Sequence, residues 1–133
     1  MNSSLRLTYR KKLKNHLIAL FEREGKECFS FTGVFCSDKY LLSINKEFLG
    51  HNDYTDIITF SLADSADPIV GELYISADRV RENARQLGVS INEEVCRVIF
   101  HGALHLCGYE DKTSEDKASM TLAEEKYLAM YFA

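Results

Sequence analysis

Apolar residues recur along this chain with two periods, and the places where the period changes mark out its elements. From Leu5 to about Arg23, the residues Leu7, Leu13, Leu17, Ile18, Leu20 and Phe21 keep helical spacing, and Gly25 closes that helix. Phe29–Cys36 alternates apolar with small polar residues, the two-residue period of a strand. Ser37 can accept from the free amides of a first turn. It predicts a helix over Asp38–Phe48 with Tyr40, Leu41, Ile44 and Phe48 as its inward stripe and Gly50 as its end. His51–Thr55 is a polar loop. Asp56–Leu62 and Val70–Ser76 are rich in β-branched and aromatic residues and predict strands. The turn Ala63–Pro68 between them suggests an antiparallel hairpin, with a longer crossover also open.

Ser76 caps a helix to about Leu87, ended by Gly88. Ser90 and Glu93 form a capping-box pattern for the next helix. That helix carries Val95, Val98 and Ile99 inward and meets no breaker before His101 and His105. Thr113 caps the last helix, with Glu115 and Asp116 in its positive first turn and Met120, Ala123, Tyr127 and Met130 facing inward. The order α-β-α-β-β-α-α-α predicts an α+β (mixed α/β) domain, with a small sheet of at least three strands packed with about five helices.

Composition narrows the class. At 133 residues, 46% apolar and 27% charged, the chain reads as one soluble domain over 1–133, without repeats or linkers. No apolar run approaches the ~18 residues of a membrane span, and the first residues lack a secretory apolar core, so a cytoplasmic protein is expected. Cysteines 28, 36, 96 and 107 form no C-x-x-C pair, which suits reduced thiols; Cys28 and Cys36 flank one strand and cannot reach each other. The net charge of −4 argues against a general nucleic-acid coat. The distribution is uneven all the same: Arg6, Arg10, Lys11, Lys12, Lys14 and His16 crowd the first helix, while acids dominate after Glu110. Such a run is either a solvated face or an RNA contact.

The chemistry concentrates in His101–Asp111, HGALHLCGYED. His101 and His105 are four apart, so on a helix they lie about 40° apart on one face and can offer nitrogens to one metal ion. Gly108 can turn the chain back, and Asp111 then arrives where a reversed chain places an oxygen beside the nitrogens. The pattern H-x3-H-x2-G-x2-D reads as three ligands with one position left for water. It places the site on a helix of the C-terminal half and the loop after it. The competing reading is a partly buried polar face with each imidazole satisfied by a backbone carbonyl. Cys107 lies about 200° round the helix from His105 and reads as a packing residue. Zinc proteases of the HExxH type carry their general base where this chain has Gly102.

HGALHLCGYED resembles the HGxLHLxGYDH signature of the YbeY family, metal-dependent endoribonucleases of ribosomal RNA maturation and ribosome quality control. INKEFLGHNDYTDIITFS (Ile44–Ser61) resembles that family's LNxxYRxKDxPTDVLSFP segment, and GELYIS (Gly71–Ser76) its LGDIVIS strand. The resemblance implies a single-strand-specific endoribonuclease acting on the 3′ end of small-subunit ribosomal RNA, with the small ribosomal subunit as partner, no membrane, and a monomer assumed. It implies His101, His105 and Asp111 as metal ligands and, through a metal-bound water, as the catalytic set. One Zn²⁺ per chain is expected, with Mn²⁺ or another divalent ion as the alternative, since Asp111 replaces the family's third His by a harder oxygen donor. The family's Tyr-Arg pair falls on Phe48-Leu49, so its phosphate-handling Arg is absent and His51 becomes a candidate donor. Thr55, Asp56 and Arg79 are candidates for substrate contact. Thr55 and Asp56 read equally as residues making local backbone hydrogen bonds at the start of a strand. Glu72 replaces a family Asp, and either faces solvent or backs a metal-bound His. The family also opens with a strand ahead of its first helix. Only Met1–Ser4 precede the helix here, so that strand is expected to be missing or very short. Two other classes stay open: a metal-stabilised, non-catalytic factor that binds ribosomes, and a zinc metalloprotease, against which Gly102 weighs.

Overall fold

A computed structural model describes residues 10–64 and 67–133. The predicted helix start at Leu5, the basic residue Arg6, the question of a preceding strand and the middle of the Ala63–Pro68 turn lie outside those residues. The elements follow the predicted order: α1 Arg10–Arg23, β1 Cys28–Cys36, α2 Asp38–Leu49, β2 Ile57–Ser61, β3 Ile69–Ser76, α3 Ala77–Leu87, α4 Ile91–Leu106 and α5 Ser114–Tyr131.

The three strands form one mixed sheet in the order β1-β3-β2. β2 and β3 pair antiparallel, the predicted hairpin, with Ile57 opposite Ile75 and Ser61 opposite Gly71. β1 runs parallel to β3, and α2 with β2 makes the connection between them. Alternation along β3 divides its side chains between two cores. Leu73 and Ile75 join Leu20, Phe21, Val98, Ile99, Phe100 and Met120 in the larger core beneath α1, α4 and α5. Tyr74 packs on the other face against the smaller cluster of Cys36, Leu41, Ile44 and Ile58 that α2 covers. Within α2 the buried polar residue is Asn45, whose amide donates to the Asp53 carbonyl at 2.8 Å. Tyr40 and Phe48, predicted to face inward, are 43% and 64% exposed. Phe48 lies in the helix's last turn and meets Phe60 edge-on.

Serine and threonine caps start the helices where predicted. Ser37, Ser76 and Ser90 each accept from the backbone amide three residues on. For Ser90 and Glu93 that forward bond is the half of the box that forms. The reciprocal box sits instead on α5. The Thr113 amide donates to Asp116 at 3.1 Å, and the Asp116 amide donates to the Thr113 hydroxyl at 3.0 Å. α5 turns Met120, Ala123 and Tyr127 inward as expected, and Tyr131 is buried more deeply than its neighbour Met130.

Two glycines let α4 lie directly on the sheet. A Cβ built on Gly71 would stand 2.3 Å from Leu106 Cδ1, and one on Gly102 would stand 2.5 Å from Leu73 Cδ2 and 3.1 Å from Ile57 Cδ1. Gly102 therefore occupies a contact with no room for a glutamate, so the absent protease base has a packing cause. No helix among the described residues is long and apolar enough to cross a membrane. All four cysteines are free, and Cys28 and Cys36 stand at opposite ends of β1.

Candidate functional site

The helical run predicted into the motif is present, and it puts His101 and His105 one turn apart on α4. Their surroundings differ. His101, with 23% of its side chain exposed, holds its Nδ1 2.6 Å from Glu124 Oε2 of α5. His105 is exposed and holds its Nδ1 3.0 Å from the Tyr109 carbonyl. A carbonyl and a carboxylate accept, so both rings carry hydrogen on Nδ1. In the neutral form that leaves the Nε2 lone pair of each available, and no hydrogen bond engages either Nε2 among the described residues. The competing reading, an imidazole satisfied by a backbone carbonyl, describes His105 but not His101. A carboxylate or carbonyl behind Nδ1 is how metal-binding histidines are commonly oriented, so these two donors fit a divalent cation.

The return of the chain is built as expected at its first step. Gly108 has φ of 111°, a conformation disfavoured for L side chains. Cys107 caps α4, half-buried against the larger core, and burial followed by the nearby Glu24 pushes its thiol up to about 12. Tyr109 follows and is fastened to the end of α1 through a carboxylate it shares with Tyr127. Its hydroxyl donates to Glu24 Oε1 at 3.0 Å, and the Tyr127 hydroxyl donates to Glu24 Oε2 at 2.5 Å. Asp111 is exposed and near enough to His101 to act on its charge. It is not drawn in against both rings: among the described residues, no three His, Cys, Asp or Glu side chains gather into a group that could hold a metal ion. The structure thus brings two of the three expected ligands onto one face and leaves the third beside them.

Behind His101 stands a partly buried ionic network that sequence reading missed. Arg97, one turn earlier on α4, donates through Nε to Glu94 Oε1 at 2.8 Å and through its terminal nitrogens to Glu94 Oε2 and, at 3.3 Å, to Glu124 Oε1. It also lies 3.8 Å from Asp56 Oδ2. The Asn83 amide reaches Asp56 at 3.4 Å and Glu94 at 3.3 Å. Glu94 is fully buried and Glu124 is 6% exposed. For His101, burial opposes charging the ring. The Glu124 hydrogen bond and the charges of Glu124, Asp111 and Asp56 outweigh it, and the imidazole pKa is raised. The available signal was acids at helical spacing on α4 and α5, but any such stripe looks like a solvated face until the partner helix is known.

The remaining candidates separate. Thr55 makes the local bond, donating to the Ile57 carbonyl at 3.2 Å, whereas Asp56 joins the Arg97 network. Arg79 pairs with Asp38 at 3.1 Å, and its guanidinium lies 5.0 Å over the Tyr54 ring, at the α2–α3 end of the fold. His51 and Leu49 are exposed around the end of α2. Glu72 accepts from the Tyr74 hydroxyl at 3.2 Å. Its neighbours Gly71 and Leu73 meet α4, so strand alternation puts Glu72 on the opposite face, away from both histidines. His105 lines a cleft of about 690 Å³ between α4, β2 and the α1–β1 turn, with Thr59, Ser61, Lys26, Glu27, Asp64 and Asp67. A larger, apolar cavity of about 770 Å³ runs along α1 and β1; it shares Lys26 and Glu27 with that cleft and touches neither histidine.

Comparison with known proteins points in one direction. The model of a family described as endoribonuclease YbeY matches residues 2–131. A Porphyromonas gingivalis protein named endoribonuclease YbeY is 51% identical over 108 residues, 81% of this chain and 71% of that protein. One of the same name from Cytophaga hutchinsonii is 37% identical across 97% of this chain and 90% of its own length. Among solved structures, the solution structure of TM1509 from Thermotoga maritima superposes with a TM-score of 0.62 at 28% identity, over 96% of this chain and 85% of that one.

Proposed function

The chain belongs to the YbeY endoribonuclease family, and from that premise we propose that it is a hydrolase that cuts RNA internally, with the α4 histidines at its centre. The finer reading is a cytoplasmic enzyme of ribosomal RNA processing and ribosome quality control. It cuts single-stranded RNA at the 3′ end of the small-subunit ribosomal RNA and associates with that subunit. The observation that carries the placement of the site is the pair of imidazoles on one helix, each held through Nδ1 with Nε2 left unbonded.

His101 and His105 through Nε2, with Asp111 as the third donor, are the residues that would hold Zn²⁺, or Mn²⁺ as the alternative. When bound, such a cation supplies Lewis acidity toward a phosphoryl oxygen and makes water a stronger acid. The chain's own contribution is positional. α4 is packed on the sheet through Gly71 and Gly102, so its two rings are held on a rigid element. Lys26 is the one lysine or arginine among the described residues lining the His105 cleft, and it is the candidate for a substrate phosphate there, with Glu27, Asp64 and Asp67 setting the surrounding charge negative. His51 is a further candidate donor.

The test is cleavage of end-labelled single-stranded RNA by metal-analysed protein, beside a His105→Ala variant purified identically and a duplex of the same sequence. We expect the parent to cut the single strand, the duplex to persist, and the variant to lose at least about a hundredfold in rate, the scale on which removing a catalytic group acts. Equal cutting by both proteins would overturn the assignment of the site. Metal binding and small-subunit co-sedimentation without cleavage would instead favour the non-catalytic ribosome-binding factor, the reading that exposed Leu49 in place of an arginine supports.

A further inference from the structure

His101 sits at the edge of a cluster whose formal charges do not cancel. Asp56, Glu94 and Glu124 bring three carboxylates, and Arg97 brings one guanidinium. A buried excess of negative charge is costly unless each oxygen is engaged. Here the engagement is directional. Arg97 faces Glu94 with two nitrogens and takes Glu124 Oε1, which leaves Glu124 Oε2 facing His101 Nδ1 at 2.6 Å. The carboxylate is therefore gripped on one oxygen by α4 and presents the other to a ring one turn further along α4, although it belongs to α5.

We infer that Glu124 is a positioning residue for His101: held by Arg97, it accepts the Nδ1 hydrogen and thereby fixes both the ring's orientation and the tautomer that leaves Nε2 unprotonated. Three observations converge on this. The hydrogen bond is short, its acceptor is 6% exposed, and the acceptor's other oxygen is held by a guanidinium that is itself fixed at Glu94 and lies beside Asp56. Without an acceptor behind Nδ1, an imidazole in water favours hydrogen on Nε2, the nitrogen that the proposed site needs bare. Arg97 acts one step further back, since losing it would free Glu124 to turn away. The consequence for metal binding rests on the ligand reading of His101 given above; the consequence for the tautomer does not.

The experiment uses the full chain in three forms, parent, Glu124→Gln and Glu124→Ala, with Glu125→Gln of the exposed face of α5 as control. The first readout is the His101 tautomer in metal-free protein, from long-range proton–nitrogen correlation spectra at a pH where the ring is neutral. We expect hydrogen on Nδ1 in the parent and in Glu125→Gln. The Gln variant retains a neutral acceptor and should show a mixture, and the Ala variant should show the Nε2 form. The second readout is Co²⁺ titration followed by visible absorption. We expect affinity to fall by about 10- to 100-fold from parent to Ala, with Gln between, the range for losing a partner behind a metal-binding histidine. An Ala variant with parental circular dichroism and an unchanged His101 tautomer would overturn the inference. If Ala does not fold, the isosteric Gln variant decides by the same spectrum: a wholly parental tautomer with parental Co²⁺ affinity would overturn it. A parent that shows the Nδ1 form but binds no Co²⁺ would support the positioning role and refute the metal reading, so the two fail separately.

Discussion

Gly102 shows how one missing side chain can carry two meanings. Its Cβ position is filled by Leu73, which is completely buried and so has little freedom to withdraw. Gly102→Ala should therefore destabilise the fold by about 1–3 kcal/mol through overpacking, read as a drop in the urea midpoint without a change in slope. An unchanged midpoint would mean that α4 can ride up from β3 at no cost. The same position denies this helix the glutamate of a zinc protease. His101, His105 and Gly108 were legible in the sequence because their geometry is local: four residues on a helix, then a glycine that can turn. Asp111 was legible as a neighbour but not in its placement, since its side chain is free to stand off in solvent. Glu124 and Arg97 were not legible at all, because the contact of Glu124 with His101 spans 23 residues and that with Arg97 spans 27.

At the scale of elements, the starts of helices were read most accurately, because a hydroxyl and three free amides are enough to define them. Thr113 carries more than its helix. The Thr113–Asp116 box fixes the first turn of α5, which delivers Glu124 to His101 two to three turns later. Thr113→Ala should cost about 1 kcal/mol of stability, measured by denaturant unfolding, while leaving Nδ1 of His101 engaged. Loss of that bond in the variant's spectrum would mean that the cap, not packing of the rest of α5, sets the helix's register. The inward stripe of α2 was read too broadly, because apolar spacing does not reveal that a three-stranded sheet offers too little area to cover Tyr40 and Phe48. The hairpin was readable from two β-rich runs with a short turn; the parallel partner β1 was not, since nothing local in a strand names a partner that lies beyond a crossover.

For the whole molecule, the interior is one that resists ionising its thiols. Burial pushes Cys36 and Cys96 up to about 11 and Cys107 up to about 12, from an ordinary value of 9.0. Burial and the Glu24 bond raise the Tyr109 and Tyr127 hydroxyls as well. Each of these groups keeps its proton longer folded than unfolded. Their contribution is thus fully present below about pH 9 and is lost as pH climbs toward 11–12. We expect the urea midpoint to fall between pH 8.5 and pH 10.5, with Cys36 and Cys96 reacting with a thiol reagent no faster than the protein unfolds. Rapid native-state alkylation at pH 8 would contradict this.

Glu24 joins Tyr109 and Tyr127 across 85 and 103 residues of chain, and Glu124 meets His101 only after α5 has been made. Order of synthesis thereby becomes order of assembly. While the chain is growing, both histidines and Glu24 are complete before Glu124 and Tyr127 exist. A chain that has not yet reached α5 would thus carry His101 without its carboxylate, and that imidazole would be set only once α5 has emerged.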